Sequence, residues 1–359
     1  MGESGFTSFM ISYHPGQNKV TVPADGIYVV SVSVDSCYGC RPVLDARVTL
    51  RRPGFSLDFF TVYAMDIVSN AQAAVALKKN DTLTLAVYGS MKDPDSFSVA
   101  YVSGLDGHYT TVVITTYTDS ALLHFDQQLT AKSWSDSSGN QASSFSVPTT
   151  GMYWVTARVV PISIETVIRV TTENSTSNRI LFDIFGEKSR SVSCSGAFRL
   201  SAGTVVKVKT TIKAKYTMGT MLSFVYLEGN RKPYTGPDEH IAFTGTLIRK
   251  LRNSNHRLIP FLDRLTNYGR LYDPDGDISI RKSGSYIISL RSDPPFYTAT
   301  KVDLLVNGGL KWRFFSMMGV PSGQTISLVL KAKDQIKIIN HITHNFESGT
   351  LFSIAFLRS

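Results

Sequence analysis

Apolar and polar residues alternate with a period of two along most of this chain, the pattern of strands with one buried and one wet face. The alternation is clearest in an arrangement that recurs three times: an alternating strand, a turn ending in glycine, and a second alternating strand. The copies read Lys19-Val-Thr-Val-Pro23-Ala-Asp-Gly26-Ile-Tyr28-Val-Val-Ser-Val, Ser144-Phe-Ser-Val-Pro148-Thr-Thr-Gly151-Met-Tyr153-Trp-Val-Thr and Asp277-Ile-Ser-Ile-Arg281-Lys-Ser-Gly284-Ser-Tyr286-Ile-Ile-Ser-Leu. The glycine is expected to let the chain turn with positive φ, and the alternating residues after it send one row into a core. A second pattern follows each copy, a tight turn entering a strand: Leu77 to Leu83, Leu200 to Val206 and Leu330 to Ile336. A third closes each unit with a dense apolar strand suited to a central position: Ser98-Val-Ala-Tyr101-Val102, Ser223-Phe-Val-Tyr226-Leu227 and Ser353-Ile-Ala-Phe356-Leu357.

Three marks recurring in one order predict three units rather than one long domain, as expected for 359 residues. Strand alternation lapses at Ser103-Gly-Leu-Asp-Gly107 and across Gly229 to Asp238, which places the units at residues 1–107, 108–235 and 236–359. Short strands with turn residues between them predict an all-β chain of three sandwiches or jelly rolls. Hydrophobic residues at 43% suffice for packed cores, and no segment approaches the ~20 consecutive apolar residues of a membrane-spanning helix.

The third unit resembles the globular heads of complement C1q and the C1q/TNF superfamily. The resemblance is carried by Ile241-Ala-Phe243, the run Phe261-Leu-Asp-Arg-Leu-Thr-Asn267-Tyr-Gly269-Arg-Leu-Tyr272-Asp273-Pro, Gly284-Ser-Tyr286, Leu330 to Asp334, and Gly349-Thr-Leu-Phe352-Ser353. The second unit keeps Phe125-Asp126, Gly151-Met-Tyr153, Leu200-Ser-Ala-Gly203 and Gly219-Thr-Met-Leu222-Ser223, with Thr204 where the family has Asp. The first keeps Gly26-Ile-Tyr28 and Leu77 to Asp81 but begins so close to Gly26 that the family's first strand is expected to be missing. The resemblance implies C1q/TNF-like jelly rolls that assemble as trimers around an aromatic-lined axis, here as three tandem copies packed into an intramolecular pseudo-trimer.

Charge changes the picture, because it is unevenly placed. Lys and Arg against Asp and Glu stand at 8 to 10 over residues 1–107, 13 to 8 over 108–235 and 16 to 10 over 236–359. A positive surface on the second and third units favours acidic partners. Two clusters are candidate anion contacts. Lys207, Lys209, Lys213 and Lys215 recur at alternate positions and are expected on one face of a strand or hairpin, where the competing reading is a solvated edge. Arg249, Lys250, Arg252 and Arg257 lie where the family has a variable loop, and guanidinium groups grip sulfate or carboxylate bidentately.

Other constellations point to chemistry less directly. Asp273, Asp275 and Asp277 space carboxylates as Ca²⁺ can use them, although no EF-hand glutamate follows and a simple turn is the expectation; no cofactor is expected. Cys37 and Cys40 could form a small disulfide loop, stay as thiols or supply half a zinc site, with Cys194 alone. His341 and His344 do not converge on one metal by their spacing. No nucleophile elbow, phosphate loop, zincin helix or dinucleotide fingerprint occurs, so an enzyme is not expected. Most aromatic residues fall in core phase, which argues against nucleic acid.

Together the resemblance and the charge imply a non-enzymatic, secreted recognition protein. It would be a lectin-like or pattern-recognition binder of acidic glycans or cell-surface ligands, with roles in innate immunity or adhesion. The alternative is a matrix or surface-coat component, or a receptor ligand, that meets protein partners. The start Met1-Gly2-Glu3-Ser4-Gly5-Phe6 carries no signal-peptide pattern.

Overall fold

The computed structural model describes residues 9–12, 19–35, 44–52, 55–64, 68–88, 96–105, 107–114, 118–119, 123, 125, 127–132, 135–136, 143–160, 166–173, 178–186, 192–210, 215–216, 220–227, 241–247, 257–259, 261, 263–268, 271–272, 277–292, 300–316, 322–340 and 350–358. Every regular element among them is a strand, and every pairing is antiparallel. The larger sheets fall into three pairs.

In the first pair, one sheet runs in the order Phe9–Ser12, Ser96–Ser103, Gly26–Asp35, Val68–Leu77, and its mate runs Lys19–Thr21, Thr82–Tyr88, Leu44–Arg52, Phe55–Ala64. In the second, the order Gln127–Lys132, Tyr109–Val113, Met221–Tyr226, Gly151–Val159, Val192–Leu200 faces Ser135–Asp136, Ser144–Ser146, Val205–Thr210, Thr166–Glu173, Asn178–Gly186. In the third, Asp263–Tyr268, Ala242–Thr246, Leu351–Arg358, Gly284–Ser292, Ser322–Leu330 faces Arg257–Leu258, Gln335–Asn340, Thr300–Val306, Gly309–Ser316, and Ile278–Ser279 also pairs with Gln335–Asn340. In each pair an early strand lies beside the last, the order of a jelly-roll sandwich that buries one face of each sheet. Separate apolar clusters fill the pairs, centred on Tyr28 and Val48, Tyr153 and Phe224, and Tyr286 and Phe352.

The recurring sequence patterns become recurring contacts. Each tyrosine of the glycine turn donates its phenolic proton to the carbonyl four residues back: Tyr28 to Ala24 at 2.8 Å, Tyr153 to Thr149 at 2.7 Å and Tyr286 to Lys282 at 2.6 Å. Each also meets an aromatic ring of the last strand edge-on, with centroids 5.3 Å apart in all three: Tyr101, Tyr226 and Phe356. The second pattern places a left-handed residue at one position of each turn, Asn80 at φ 70, Gly203 at φ 77 and Lys333 at φ 77. Asp81 and Asp334 then accept the amide protons of Lys78 and Lys331 at 2.7 and 2.8 Å, closing the turn.

Two expectations are corrected. Gly26 and Gly151 are not at positive φ, although Gly284 is, at φ 151; they are needed because a Cβ would overlap the ring of Tyr101 or Tyr226. The first pair does have a first strand: Phe9–Ser12 pairs with Ser96–Ser103 in the place held by Tyr109–Val113 and Ala242–Thr246. What has no counterpart among the described residues is the outer strand next to it, Gln127–Lys132 in the second pair and Asp263–Tyr268 in the third.

Candidate functional site

Alternation along the central strands decides what the three pairs present to one another. In Gly26–Asp35, Gly151–Val159 and Gly284–Ser292 the tyrosine and the residues two and four positions after it enter the pair's own core. The residues between point out of it. Val29, Trp154 and Ile287 join Ala100, Val225 and Ala355 in one apolar cluster shared by all three pairs. The resemblance implied an aromatic lining; Trp154 and Tyr109 are its aromatic members and the rest is aliphatic.

A polar layer follows. Gln72, Ser195 and Thr325 hold equivalent register positions, opposite Ser31, Thr156 and Ser289. All three are buried, and the Gln72 side-chain carbonyl accepts hydroxyl protons from Ser195 at 2.6 Å and Thr325 at 2.9 Å. The serines of the last strands extend the pattern. Thr111 of the second pair donates to the Ala74 carbonyl of the first at 2.6 Å, with Ser223 3.0 Å from Thr111. Thr244 of the third donates to the Ala197 carbonyl of the second at 2.9 Å, with Ser353 3.0 Å from Thr244. Ser98 of the first donates to the Thr325 carbonyl of the third at 2.9 Å. Second meets first, third meets second and first meets third, each onto the equivalent acceptor strand, with the donor on the first strand of its pair in two cases and on the last strand in the third.

The sequence missed this layer, although a signal was present. Val68–Leu77, Val192–Leu200 and Ser322–Leu330 carry buried polar residues in the phase that points away from their own core, Asn70 and Gln72, Ser193 and Ser195, and Thr325 and Ser327, which a strand serving a single core does not need.

The charged residues singled out in the sequence are placed apart. Lys207 and Lys209 share a face of Val205–Thr210, and both ammonium groups reach Glu173, at 2.5 and 2.6 Å. The hydrogen bond from Lys207, then that from Lys209, holds the Glu173 carboxyl below its usual range. Lys215 sits on Lys215–Tyr216, which pairs with Thr118–Asp119. Arg257 begins the strand Arg257–Leu258 beside Gln335–Asn340. Lys213, Arg249, Lys250 and Arg252 lie outside the described residues.

Asp277 lies 3.4 Å from the Lys337 ammonium, while Asp273 and Asp275 are outside the described residues. Among the described residues no cluster of His, Cys, Asp and Glu could hold a metal ion. Cys37, Cys40, His341 and His344 are also outside them. Cys194 is a buried free thiol, pushed up to about 11 by burial, with the neighbouring Arg291 guanidinium of the third pair acting the other way.

A cleft of about 360 Å³ opens on the third pair between the turn at Asn307 and the end of Ser322–Leu330. Asn307 and Gly308 turn the chain with φ 52 and 79, and the Asn307 amide donates to Asp334 at 2.8 Å, fixing one wall. Lys311, Lys331 and Val329 line the rest. Val329 is 62% exposed and nearby Leu310 is 50% exposed, a mixed apolar and basic surface.

No protein-family model and no curated protein matches this chain. Among solved structures it is similar to murine APRIL at pH 5.0, with 20% identity and a TM-score of 0.28 over 34% of this chain and 100% of that one. It is similar to Eiger TNF from S. frugiperda, with 14% identity and a TM-score of 0.27 over 36% of this chain and 98% of that one. A tandem CBM22-1-CBM22-2 unit of Paenibacillus barcinonensis Xyn10C matches at 10% identity and a TM-score of 0.21 over 71% of this chain and 95% of that one. At these scores the architecture rests on the strand order itself.

Proposed function

We propose that the chain is a non-enzymatic extracellular recognition protein: three tandem C1q/TNF-like jelly rolls closed into an intramolecular pseudo-trimer, binding through outward surfaces that covalent linkage has freed to differ. The observation that carries this reading is the cyclic set of contacts onto equivalent strands: Thr111 on Ala74 and Thr244 on Ala197, which are equivalent pairs, and Ser98 of the last strand on Thr325. A homotrimer repeats each surface three times, whereas one chain with three heads presents three surfaces at fixed spacing.

The excess of basic residues beyond position 107 favours acidic ligands, sulfated or sialylated glycans among them. Glu173 already engages Lys207 and Lys209, so the arginine-rich stretch from Arg249 to Arg257 is the stronger candidate contact. A protein ligand is the second reading, favoured by the mixed patch of Val329, Leu310, Lys311 and Lys331. Small-angle scattering tests the ring: a compact particle supports it, and an extended string of three bodies overturns it. A glycan array at low and physiological salt, with the Arg249→Ala, Lys250→Ala, Arg252→Ala, Arg257→Ala variant alongside, tests the ligand. Salt-sensitive binding lost in the variant supports an acidic glycan; no binding by the parent chain shifts the reading to protein partners.

A further inference from the structure

The cleft on the third pair opens where two positions that fill the second pair are changed. Phe55–Ala64, Asn178–Gly186 and Gly309–Ser316 each carry a bulge at the same register, just before the partners of Val48, Val170 and Leu304. The extra residue there is Phe59, Leu181 or Lys311. In the second pair Leu181 is buried in the core together with Phe198, whose ring lies 5.8 Å from that of Phe182. The third pair has Lys311 and Leu328 at these two positions, Leu328 facing Tyr286 as Phe198 faces Tyr153. An ammonium group stays out of an apolar core, so Lys311 is exposed, and leucine leaves the space of a ring unfilled. Both residues line the cleft of about 360 Å³.

Val306, Leu328, Val329 and Leu330 supply its apolar wall, and its charged groups are Lys311, Lys331 and Asp334. The Asp334 oxygens are already engaged, one by the Asn307 amide and the other by the Lys331 backbone N–H, each at 2.8 Å. Asp303, on the neighbouring strand, accepts two hydrogen bonds from Arg313 at 2.7 and 2.9 Å. Lys311 and Lys331 have no ion-pair partner among the described residues, and two ammonium groups against one carboxylate leave the lining with a single positive charge in excess. The Asn307 carbonyl oxygen is taken by the Gln335 backbone N–H at 2.9 Å, and no aromatic ring is among the described lining residues. A neutral sugar therefore finds neither a stacking face nor a free amide there.

We propose that this cleft is a binding site for an aliphatic monocarboxylate, its chain against Val306, Leu328 and Val329 and its carboxylate facing Lys311 and Lys331. The volume falls in the range of small-molecule sites. Burial of the alkyl chain supplies the affinity, and the two ammonium groups select the charged head. The site belongs to one pair of the three: in the second, Leu181 and Phe198 occupy the space, and Ser201 stands where Lys331 does. It lies within the third pair alone and does not depend on how the three pairs meet.

Isothermal titration calorimetry of the whole chain with octanoate, and with octanol as its neutral counterpart, tests the site. Two variants accompany the parent. The double variant Lys311→Leu, Leu328→Phe rebuilds the filling of the second pair, and Lys331→Gln removes one exposed ammonium group. The expected result is saturable binding of one octanoate per chain, abolished in the double variant and weakened at least about threefold by Lys331→Gln, with octanol binding more weakly than octanoate. Circular dichroism checks that both variants fold, and Lys331→Gln, on an exposed turn, keeps the test open if the double variant does not. Octanoate binding that survives the filled cleft, or no binding by the parent chain, overturns the site. Octanol binding as tightly as octanoate, or indifference to Lys331→Gln, overturns the assignment of an anionic ligand. Each of these outcomes leaves the ring reading where scattering puts it.

Discussion

The junction of the third pair on the second and that of the first on the third start from the same strands and finish differently. At the former, Leu351 of the third pair is buried within the core of the second. Arg291 donates to the Asp183 carbonyl across the boundary, and Gly323 lies so close to the Ser193 backbone that a Cβ would collide with it. At the latter, the register positions of Leu351 and Arg291 are taken by Ser96 and Ser33, and Val329 is left in solvent. The third pair is thus keyed into the second by a side chain that crosses into the second core, whereas the first and third meet through the shared cluster and the Ser98–Thr325 hydrogen bond.

That contrast gives the largest expected effect. Leu351→Ala empties a site 1% exposed in a core that belongs to another pair, and should lower stability to denaturant by about 2–5 kcal/mol. Val329→Ala, at the open junction, should stay within about 0.5 kcal/mol. Equal losses in the two variants would show that the junctions do not differ in strength.

The axis comes next. Gln72→Leu removes the acceptor of two buried hydroxyl protons and should cost about 1–3 kcal/mol for each hydroxyl left without a partner. Adding Ser195→Ala, Thr325→Val and Thr156→Val, the last because the Ser195 hydroxyl also bonds that of Thr156 at 3.1 Å, should recover most of the loss by leaving an apolar layer of similar shape. A combined variant no better than the single one would mean that the layer works through shape rather than hydrogen bonding. Both measurements need only equilibrium unfolding curves.

These positions also mark how far the sequence could be read. The glycine turns, the tyrosines at Tyr28, Tyr153 and Tyr286, and the dense last strands repeat in sequence because each serves a local contact that every unit must make. Strand alternation therefore exposed the all-β plan. Junction residues carry no such repeat: Gln72, Ser195 and Thr325 are three residue types at one position, since each answers to a different neighbour. The glycine rule failed at Gly26 and Gly151 for a related reason, the ring that forbids a Cβ being supplied from a strand far along the chain. Spacing likewise did not reveal that Glu173, from a neighbouring strand, engages both Lys207 and Lys209.

A smaller effect compares the glycine turns under alkali. Burial pushes the Tyr286 phenol up to about 12 from an ordinary 10.0, and burial raises Tyr153 as well. Both groups favour the protonated form in the folded chain, so their contribution is complete below pH 10 and is lost as pH rises from there toward the folded value. Tyr286→Phe should flatten this alkaline decline, read by tyrosinate absorbance alongside circular dichroism, and an unchanged slope would assign the decline to other groups.

The smallest effect on stability bears most directly on the ligand. Glu173 sits between Lys207 and Lys209 and is held below the usual carboxylate range by them, so its stabilisation is present above the ordinary carboxylate pKa and is lost as pH falls through the lowered value. With side chains 24% to 47% exposed, the triad is worth at most about 1 kcal/mol, and Glu173→Gln should cost no more than that. The same substitution removes one negative charge from between two ammonium groups. If the outer face of the second pair contacts acidic glycans, Glu173→Gln should tighten heparin binding at low salt and steepen its salt dependence. If the contact lies in the stretch from Arg249 to Arg257 instead, heparin affinity should be indifferent to Glu173 and should fall in the quadruple alanine variant.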